Sequence, residues 1–270
     1  MQLAPSRISR SPSVVTRTGS RAARACAFAL ETWSRLRVDG GPLHGEERAR
    51  ELSWVAENMC ALHGLRARVR GSVPREVSIL VANHVSYFDP MVIASSLPCT
   101  AVAKQEVLGW PLVGELCKRL GVLFVQREDP QHGARTLREI LRLLDAGVSV
   151  LVFPEGTTTS GNSVLPFKRG VFGAAALAGV PIVPVALRYE GTHAPWIGQD
   201  AFLPHYMRAI AKPYTRVELS FLPPLVHTRH SSAELLADEA RAAIVAALAR
   251  NAVRHPYVSA LADGCSLATA

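Results

Sequence analysis

The strongest constraint on the fold is the alternation that begins after Gly71. Short apolar runs fit strands over 77–82, 100–103, 121–125, 148–153, 181–187 and 216–221. Between and after them, residues 90–96, 107–120, 134–146, 169–178 and 233–250 fit helices. The last of these opens on Ser231-Ser232-Ala233-Glu234, which has capping-box spacing. Strands alternating with helices predict an α/β domain with a mostly parallel sheet flanked by helices. No internal repeat is visible. The expected domain runs from 65 to 250, with a frayed tail over 251–270.

The N-terminal part is patterned differently. Residues 1–21 are rich in Ser, Arg, Thr and Pro without periodicity and read as a disordered basic arm. Amphipathic helices fit 22–38 and 46–63, together spanning the 22–64 segment, and each carries a tryptophan, Trp33 or Trp54. Such helices either pack on the core or lie in a membrane interface. The formal charge is +8, and Arg7, Arg10, Arg17, Arg21 and Arg24 lie in the first 30 residues without any Asp or Glu. A basic start suits an anionic membrane or a nucleic acid, or is simply a solvated tail. No run of eighteen apolar residues exists, so no spanning helix is expected, and the apolar stretch after Arg24 is too short for a signal peptide. The five cysteines (Cys26, Cys60, Cys99, Cys117, Cys265) are widely spaced without a CxxC pair. They read as free thiols in a reducing compartment, not as disulfides or a metal site.

Four stretches carry chemistry. In the first, the apolar strand over 77–82 leads into Asn83-His84-Val85-Ser86-Tyr87-Phe88-Asp89-Pro90. The carboxyl edge of an open α/β sheet is where ligands bind. Asp89 before Pro90 is also a helix-start signal. The pair therefore reads either as a base with its orienting carboxylate or as a helix cap beside a turn histidine. In the second, Gly121-Val122-Leu123-Phe124-Val125-Gln126-Arg127 ends a strand on an arginine. That arginine either clamps a phosphate or makes a surface ion pair. In the third, Phe153-Pro154-Glu155-Gly156-Thr157-Thr158 runs from a strand into a glycine- and hydroxyl-rich turn. Its backbone can approach an anion, and Lys168-Arg169 follow. In the fourth, Val180-Pro181-Ile182-Val183-Pro184-Val185 is an apolar strand with two prolines, as expected of an edge or groove wall.

Together, over roughly residues 65–225, these stretches resemble the PlsC-type glycerolipid (lysophospholipid) acyltransferases. His84 to Asp89 is similar to that family's HxxxxD motif, Gly121, Phe124 and Arg127 to GxxFxxR, and residues 153–157 to FPEGT. Residues 180–185 are similar to its terminal apolar-proline motif. The resemblance implies that His84 is the general base and Asp89 its orienter. It implies that Arg127, Glu155, Gly156, Thr157 and Lys104 contact substrate. It implies acyl transfer from acyl-CoA or acyl-carrier protein to a lysolipid hydroxyl, without an acyl-enzyme, metal or bound cofactor. The expected acceptor is 1-acylglycerol-3-phosphate, giving phosphatidate, with lyso-ornithine lipid or lysophosphatidylcholine as the alternative acceptor. It further implies that the N-terminal helices dock peripherally or monotopically on the cytoplasmic face of the cell membrane. One position departs from the family: many lysophosphatidate enzymes carry Arg after the Glu-Gly-Thr triplet, where this chain has Thr158. Relatives with Thr there include enzymes for lyso-ornithine lipid and lysophosphatidylcholine. Three rival classes fit less well. A serine hydrolase needs a G-x-S-x-G elbow, which is absent. A non-catalytic membrane module has no need of the histidine. A nucleic-acid binder leaves the motif-ended apolar strands unexplained, so no nucleic-acid partner is expected.

Overall fold

The computed structural model describes residues 13–38, 45–110, 113–126, 130–191, 193–198 and 201–254. Two helices lead, α1 (Val14–Val38) and α2 (Gly45–His63). The basic arm expected over 1–21 is therefore corrected in part. The helix begins at Val14, not at residue 22, because Ser13 caps it, its hydroxyl accepting the Thr16 N–H at 3.2 Å. Residues 1–12 and the tail beyond 254 lie outside the described residues, as does Cys265.

The chain then alternates as expected. β1 (Leu65–Arg70) and β2 (Ile79–Ala82) precede α3 (Asp89–Ala94). β3 (Thr100–Lys104), α4 (Val113–Arg119) and β4 (Leu123–Val125) follow. Next come α5 (Pro130–Asp145), β5 (Val150–Val152), α6 (Gly170–Ala178) and β6 (Ile182–Tyr189). α7 (Phe202–Ile210), β7 (Thr215–Phe221) and α8 (Ala233–Arg254) close the fold. The single helix expected over 107–120 is split: a 3-10 turn covers Gln105–Gly109 before α4 begins.

The strands form one seven-stranded sheet in the order β1-β7-β6-β2-β5-β3-β4. Every neighbouring pair is parallel except β6 with β7. The expectation of a mostly parallel sheet flanked by helices holds. β1 and α7 were not expected. β1 reads Leu-Arg-Ala-Arg-Val-Arg, a polar edge strand whose Arg70 reaches Glu218 of β7 at 2.9 Å. Gly64 makes the join from α2 possible: its φ is +70°, and a Cβ there would sit 2.8 Å from the Pro213 carbonyl oxygen.

Each face of the sheet buries its own apolar layer. On one side α2 and α3 bring Ala56, Cys60, Val92 and Ile93 onto Leu80, Leu151, Val183 and Leu219. On the other, α5, α6 and α8 bring Ile140, Phe172 and Ala240 onto Ile79, Val150 and Ile182. Each large side chain so buried contributes about 1.5–3 kcal/mol. Because both faces are covered, β2 and β6 are apolar nearly throughout.

The proline-bearing strand is corrected from an edge to the interior, between β2 and β7. In a strand, N–H and C=O of one residue point the same way, and the Pro184 carbonyl accepts the Leu222 N–H at 2.9 Å. The missing Pro184 N–H therefore faces the segment just beyond β7. The β6–β7 ladder proper starts one residue later, at Val185 and Phe221, so no ladder donor is lost.

The N-terminal arginines have a structural task. Arg17 donates to the Ala211 carbonyl at 3.2 Å, and Arg21 to the carbonyls of Ile210, at 3.0 Å, and of Lys212 and Pro213. Two guanidinium groups of α1 thus satisfy the free carbonyls at the carboxyl end of α7, where the helix dipole favours cations. Trp33 packs under the Arg119 guanidinium at 4.5 Å, and Trp54 lies 5.3 Å from the Phe28 ring.

Candidate active site

The site is assembled where β2 runs out. Asn83 is buried and locks the end of β2 to β6: its amide donates to the Leu187 carbonyl at 3.0 Å, and its oxygen accepts the Leu187 N–H at 2.8 Å. The next residue, His84, is thereby presented at the carboxyl edge of the sheet. The chain then turns through 85–88 into α3.

Asp89 organises that turn. It is the first residue of α3, and Phe88, whose side chain makes no capping bond, occupies the N-cap. The expected Asp89 cap is thus corrected. Its carboxylate faces back over the turn, where Oδ2 accepts Val85 N–H at 2.6 Å, Ser86 N–H at 2.9 Å and His84 Nδ1 at 2.8 Å. Its Oδ1 accepts the Tyr189 hydroxyl at 2.7 Å. A carboxylate oxygen can only accept, so the proton lies on His84 Nδ1 and Nε2 keeps its lone pair. Asp89 is fully buried, whereas the His84 side chain keeps 17% of its surface exposed. One ring nitrogen is anchored in the interior, and the imidazole still reaches the outside. Phe153 stacks on it, with ring centres 4.1 Å apart and planes 22° apart.

Glu155 supports the same histidine from the turn just after the neighbouring strand β5. One carboxylate oxygen accepts the His84 N–H at 2.7 Å, and the other accepts the Leu165 N–H at 2.8 Å. Burial raises its pKa above the ordinary glutamate value, opposed by these two backbone hydrogen bonds. Both oxygens are committed to backbone donors. In this geometry Glu155 positions His84, and its carboxylate does not face an open head-group site. The turn after it packs on the histidine as well, since the His84 carbonyl accepts the Thr159 N–H at 2.9 Å.

The remaining expected residues are placed unevenly. Gly156 adopts φ +79°, and a Cβ there would lie 3.1 Å from Lys168 Cε and 3.2 Å from its Nζ. The glycine thus lets a lysine close over the turn. Thr157 is exposed in that turn. Lys104, at the end of β3, is half-exposed and pairs with Glu106 at 2.6 Å. Arg127 lies outside the described residues. Thr158 does not take the place of a cation: its hydroxyl donates to the Trp196 carbonyl, and Trp196 N–H in turn donates to the Val85 carbonyl at 2.9 Å.

Sequence reasoning missed Tyr189 and Trp196 as site neighbours, and although it named Phe153 and Lys168 it gave no sign that Phe153 stacks on His84 or that Lys168 closes over Gly156. Tyr189 left one signal. It ends a largely apolar strand, and a buried tyrosine needs a partner for its O–H. Ser86 is buried, its N–H donates to Asp89, and its Oγ accepts the Phe88 N–H at 3.4 Å, so it is not presented as a nucleophile.

A histidine oriented by a buried carboxylate at the carboxyl edge of a mostly parallel sheet, with no Ser, Thr or Cys presented beside it among the described residues, has the geometry of a base that can activate an incoming hydroxyl. Residues 65–188 match the model of the family described as Acyltransferase. The chain is 34% identical over 234 residues to the lyso-ornithine lipid O-acyltransferase of Pseudomonas aeruginosa, covering 83% of this chain and 88% of that one. It is 32% identical to the 1-acyl-sn-glycerol-3-phosphate acyltransferase of Neisseria meningitidis, over 63% of this chain and 67% of that one. Its fold matches the crystal structure of PlsC, the 1-acyl-sn-glycerophosphate acyltransferase from Thermotoga maritima. That match has a TM-score of 0.61 at 23% identity and covers 86% of this chain and 97% of the other. The chain belongs to the PlsC-type acyltransferase family and is an acyltransferase.

Proposed function

We propose that this enzyme moves a fatty-acyl group from a thioester donor, acyl-CoA or acyl-carrier protein, onto the free hydroxyl of a lysolipid. The observation that carries this reading is the hydrogen-bonded His84–Asp89 pair, with Nε2 unpartnered among the described residues. In the reaction, His84 Nε2 takes the hydroxyl proton as the oxygen attacks the thioester carbonyl. The tetrahedral intermediate collapses with cleavage of the C–S bond, and the leaving thiolate takes the proton from His84. Asp89 holds the ring and stabilises its transient charge. The acyl group passes directly between substrates, and the reaction needs neither a metal nor a bound cofactor.

We infer that the acceptor is lyso-ornithine lipid. Thr158 places a hydroxyl, already bonded to Trp196, where a phosphate-binding arginine is expected. The relative matched over 88% of its length carries that name. Lysophosphatidate, giving phosphatidate, is the second reading: Lys168 beside Gly156 and Lys104 on β3 are cations at the same edge. The test is acyl transfer from labelled acyl-CoA and acyl-carrier protein to lyso-ornithine lipid, lysophosphatidate and lysophosphatidylcholine in parallel. A kcat/KM at least tenfold higher for lyso-ornithine lipid supports the first reading. Preference for lysophosphatidate supports the second, and no acylation of any acceptor sinks both.

We propose a peripheral or monotopic position on the cytoplasmic face of the cell membrane, where either donor and the free thiols of Cys60, Cys99 and Cys117 fit a reducing compartment. Among the described residues no helix is long and apolar enough to cross a membrane. Leu108, Val113, Ile197, Leu203 and Met207 are exposed. Leu203 and Met207 lie one turn apart on α7, next to Phe202, whose ring packs tilted against Trp110 with centres 4.2 Å apart. Apolar side chains beside aromatic rings suit the interfacial zone. Replacing Leu203 and Met207 together with Glu is expected to weaken binding to anionic vesicles at least about tenfold, since each change removes an exposed apolar side chain that the membrane would bury. Co-sedimentation unchanged by the double substitution would move the docking surface elsewhere.

A further inference from the structure

Asp89 is the centre of the site, and three of the four hydrogen bonds to its carboxylate come from its own turn. The fourth comes from the far end of β6. There Tyr189 is buried and donates to Oδ1 at 2.7 Å, on the oxygen that does not touch His84. The same strand holds the residue before the histidine, through the paired bonds between Asn83 and Leu187. β6 therefore grips the catalytic turn at two points, one on each side of His84.

We propose that Tyr189 is a positioning residue for acyl transfer, fixing the plane of the Asp89 carboxylate and setting how strongly that carboxylate holds His84. This rests on the reading of His84 as general base. A carboxylate with donors on both oxygens cannot rotate about its Cβ–Cγ bond without breaking one of them. Donation to Oδ1 also draws negative charge away from Oδ2, where the His84 N–H is accepted. Tyr189 remains a donor throughout the working pH range, because burial, first of all, and the neighbouring Asp89 raise its pKa well above the ordinary tyrosine value. The groups around this pair are few: Glu155 from the β5–α6 segment, Tyr87 from the turn, and Cys60 from α2, besides His84 itself. The structure thereby gives the apolar-proline strand a task in the reaction, carried by the one polar ring at its end and not by a substrate contact.

The sign of the effect follows from the charge. Tyr189→Phe removes a donor and keeps the ring. More negative charge then remains on Asp89 to stabilise protonated His84. The acidic limb of the kcat/KM profile is expected to move to higher pH by about half a unit or more. The plateau is expected to fall about tenfold, part of the hundredfold or more that general-base catalysis contributes. Both KM values are expected to stay near wild type, because Tyr189 is buried behind Asp89. Fluorotyrosine incorporated at position 189 is a stronger donor and is expected to move the acidic limb the opposite way. The downfield proton resonance of the His84–Asp89 hydrogen bond should move in Tyr189→Phe, a readout that needs no turnover. A plateau within twofold of wild type, with the limb and the resonance unmoved, overturns the proposal. A lowered plateau with both unmoved reduces Tyr189 to packing and overturns it equally. If His84→Ala keeps wild-type activity, the general-base reading has failed instead, and the resonance still reports whether Tyr189 tunes the pair.

Discussion

His84→Ala is expected to lower kcat/KM for acyl transfer at least about a hundredfold, the contribution of a positioned general base. In energy this is about 2.7 kcal/mol of lost transition-state stabilisation. The fold should survive the change. The ring is partly exposed, and Asp89 keeps the donors Val85 N–H, Ser86 N–H and Tyr189 O–H after it is gone. The backbone N–H of residue 84 still reaches Glu155, because that bond does not involve the side chain. Circular dichroism and thermal melting should therefore stay close to wild type while turnover collapses. A variant that keeps a tenth or more of wild-type kcat/KM would remove His84 from the proton transfer.

Much of this architecture was legible in the residues because the signals were local. Strand-length apolar runs separated by helical periods announced a sheet covered on both faces, and His84 fell at a strand end by its place after Ala82. What escaped was set by pairing. β1 has alternate arginines and no apolar run, yet it forms a strand because β7 supplies a parallel partner along all six of its residues. β6 contains Pro184 and follows directly on Pro181, yet it lies inside the sheet because the N–H that Pro184 lacks faces a segment beyond the ladder. Arg17 and Arg21 look like a solvated basic arm in one dimension. In three they bind the end of a helix some 190 residues away, with separations of 194 and 189 for the two bonds to Ala211 and Ile210.

The site divides along the same line. His84 and Asp89 are five residues apart, and their hydrogen bond could be guessed from that spacing alone. Tyr189 is 100 residues from Asp89, and Glu155 is 71 from His84, so their roles depend on the strand order. The motif around Glu155 was legible as a ligand-facing turn, whereas its carboxylate faces inward onto two backbone donors. A glutamate in a polar turn gives no sign of which way its carboxylate is aimed. Burial decides that, and burial is a property of the assembled sheet.

Asp89→Ala is expected to be the more damaging substitution, because it removes catalysis and structure together. The alanine leaves the Val85 and Ser86 N–H groups and the Tyr189 hydroxyl without their acceptor in a buried place. Each buried polar group so orphaned costs about 1–3 kcal/mol, so a total of several kcal/mol is expected in denaturant unfolding. Acyl transfer should fall at least as far as in His84→Ala, since the imidazole loses both its orientation and the charge that stabilises its protonated form. The double variant separates the two losses. Residues that act as one unit are not additive in activity. The double variant should therefore be no slower than Asp89→Ala alone, while its stability should match that of Asp89→Ala. Activity losses that multiply would mean that the two residues act independently, and the pair would no longer explain the chemistry.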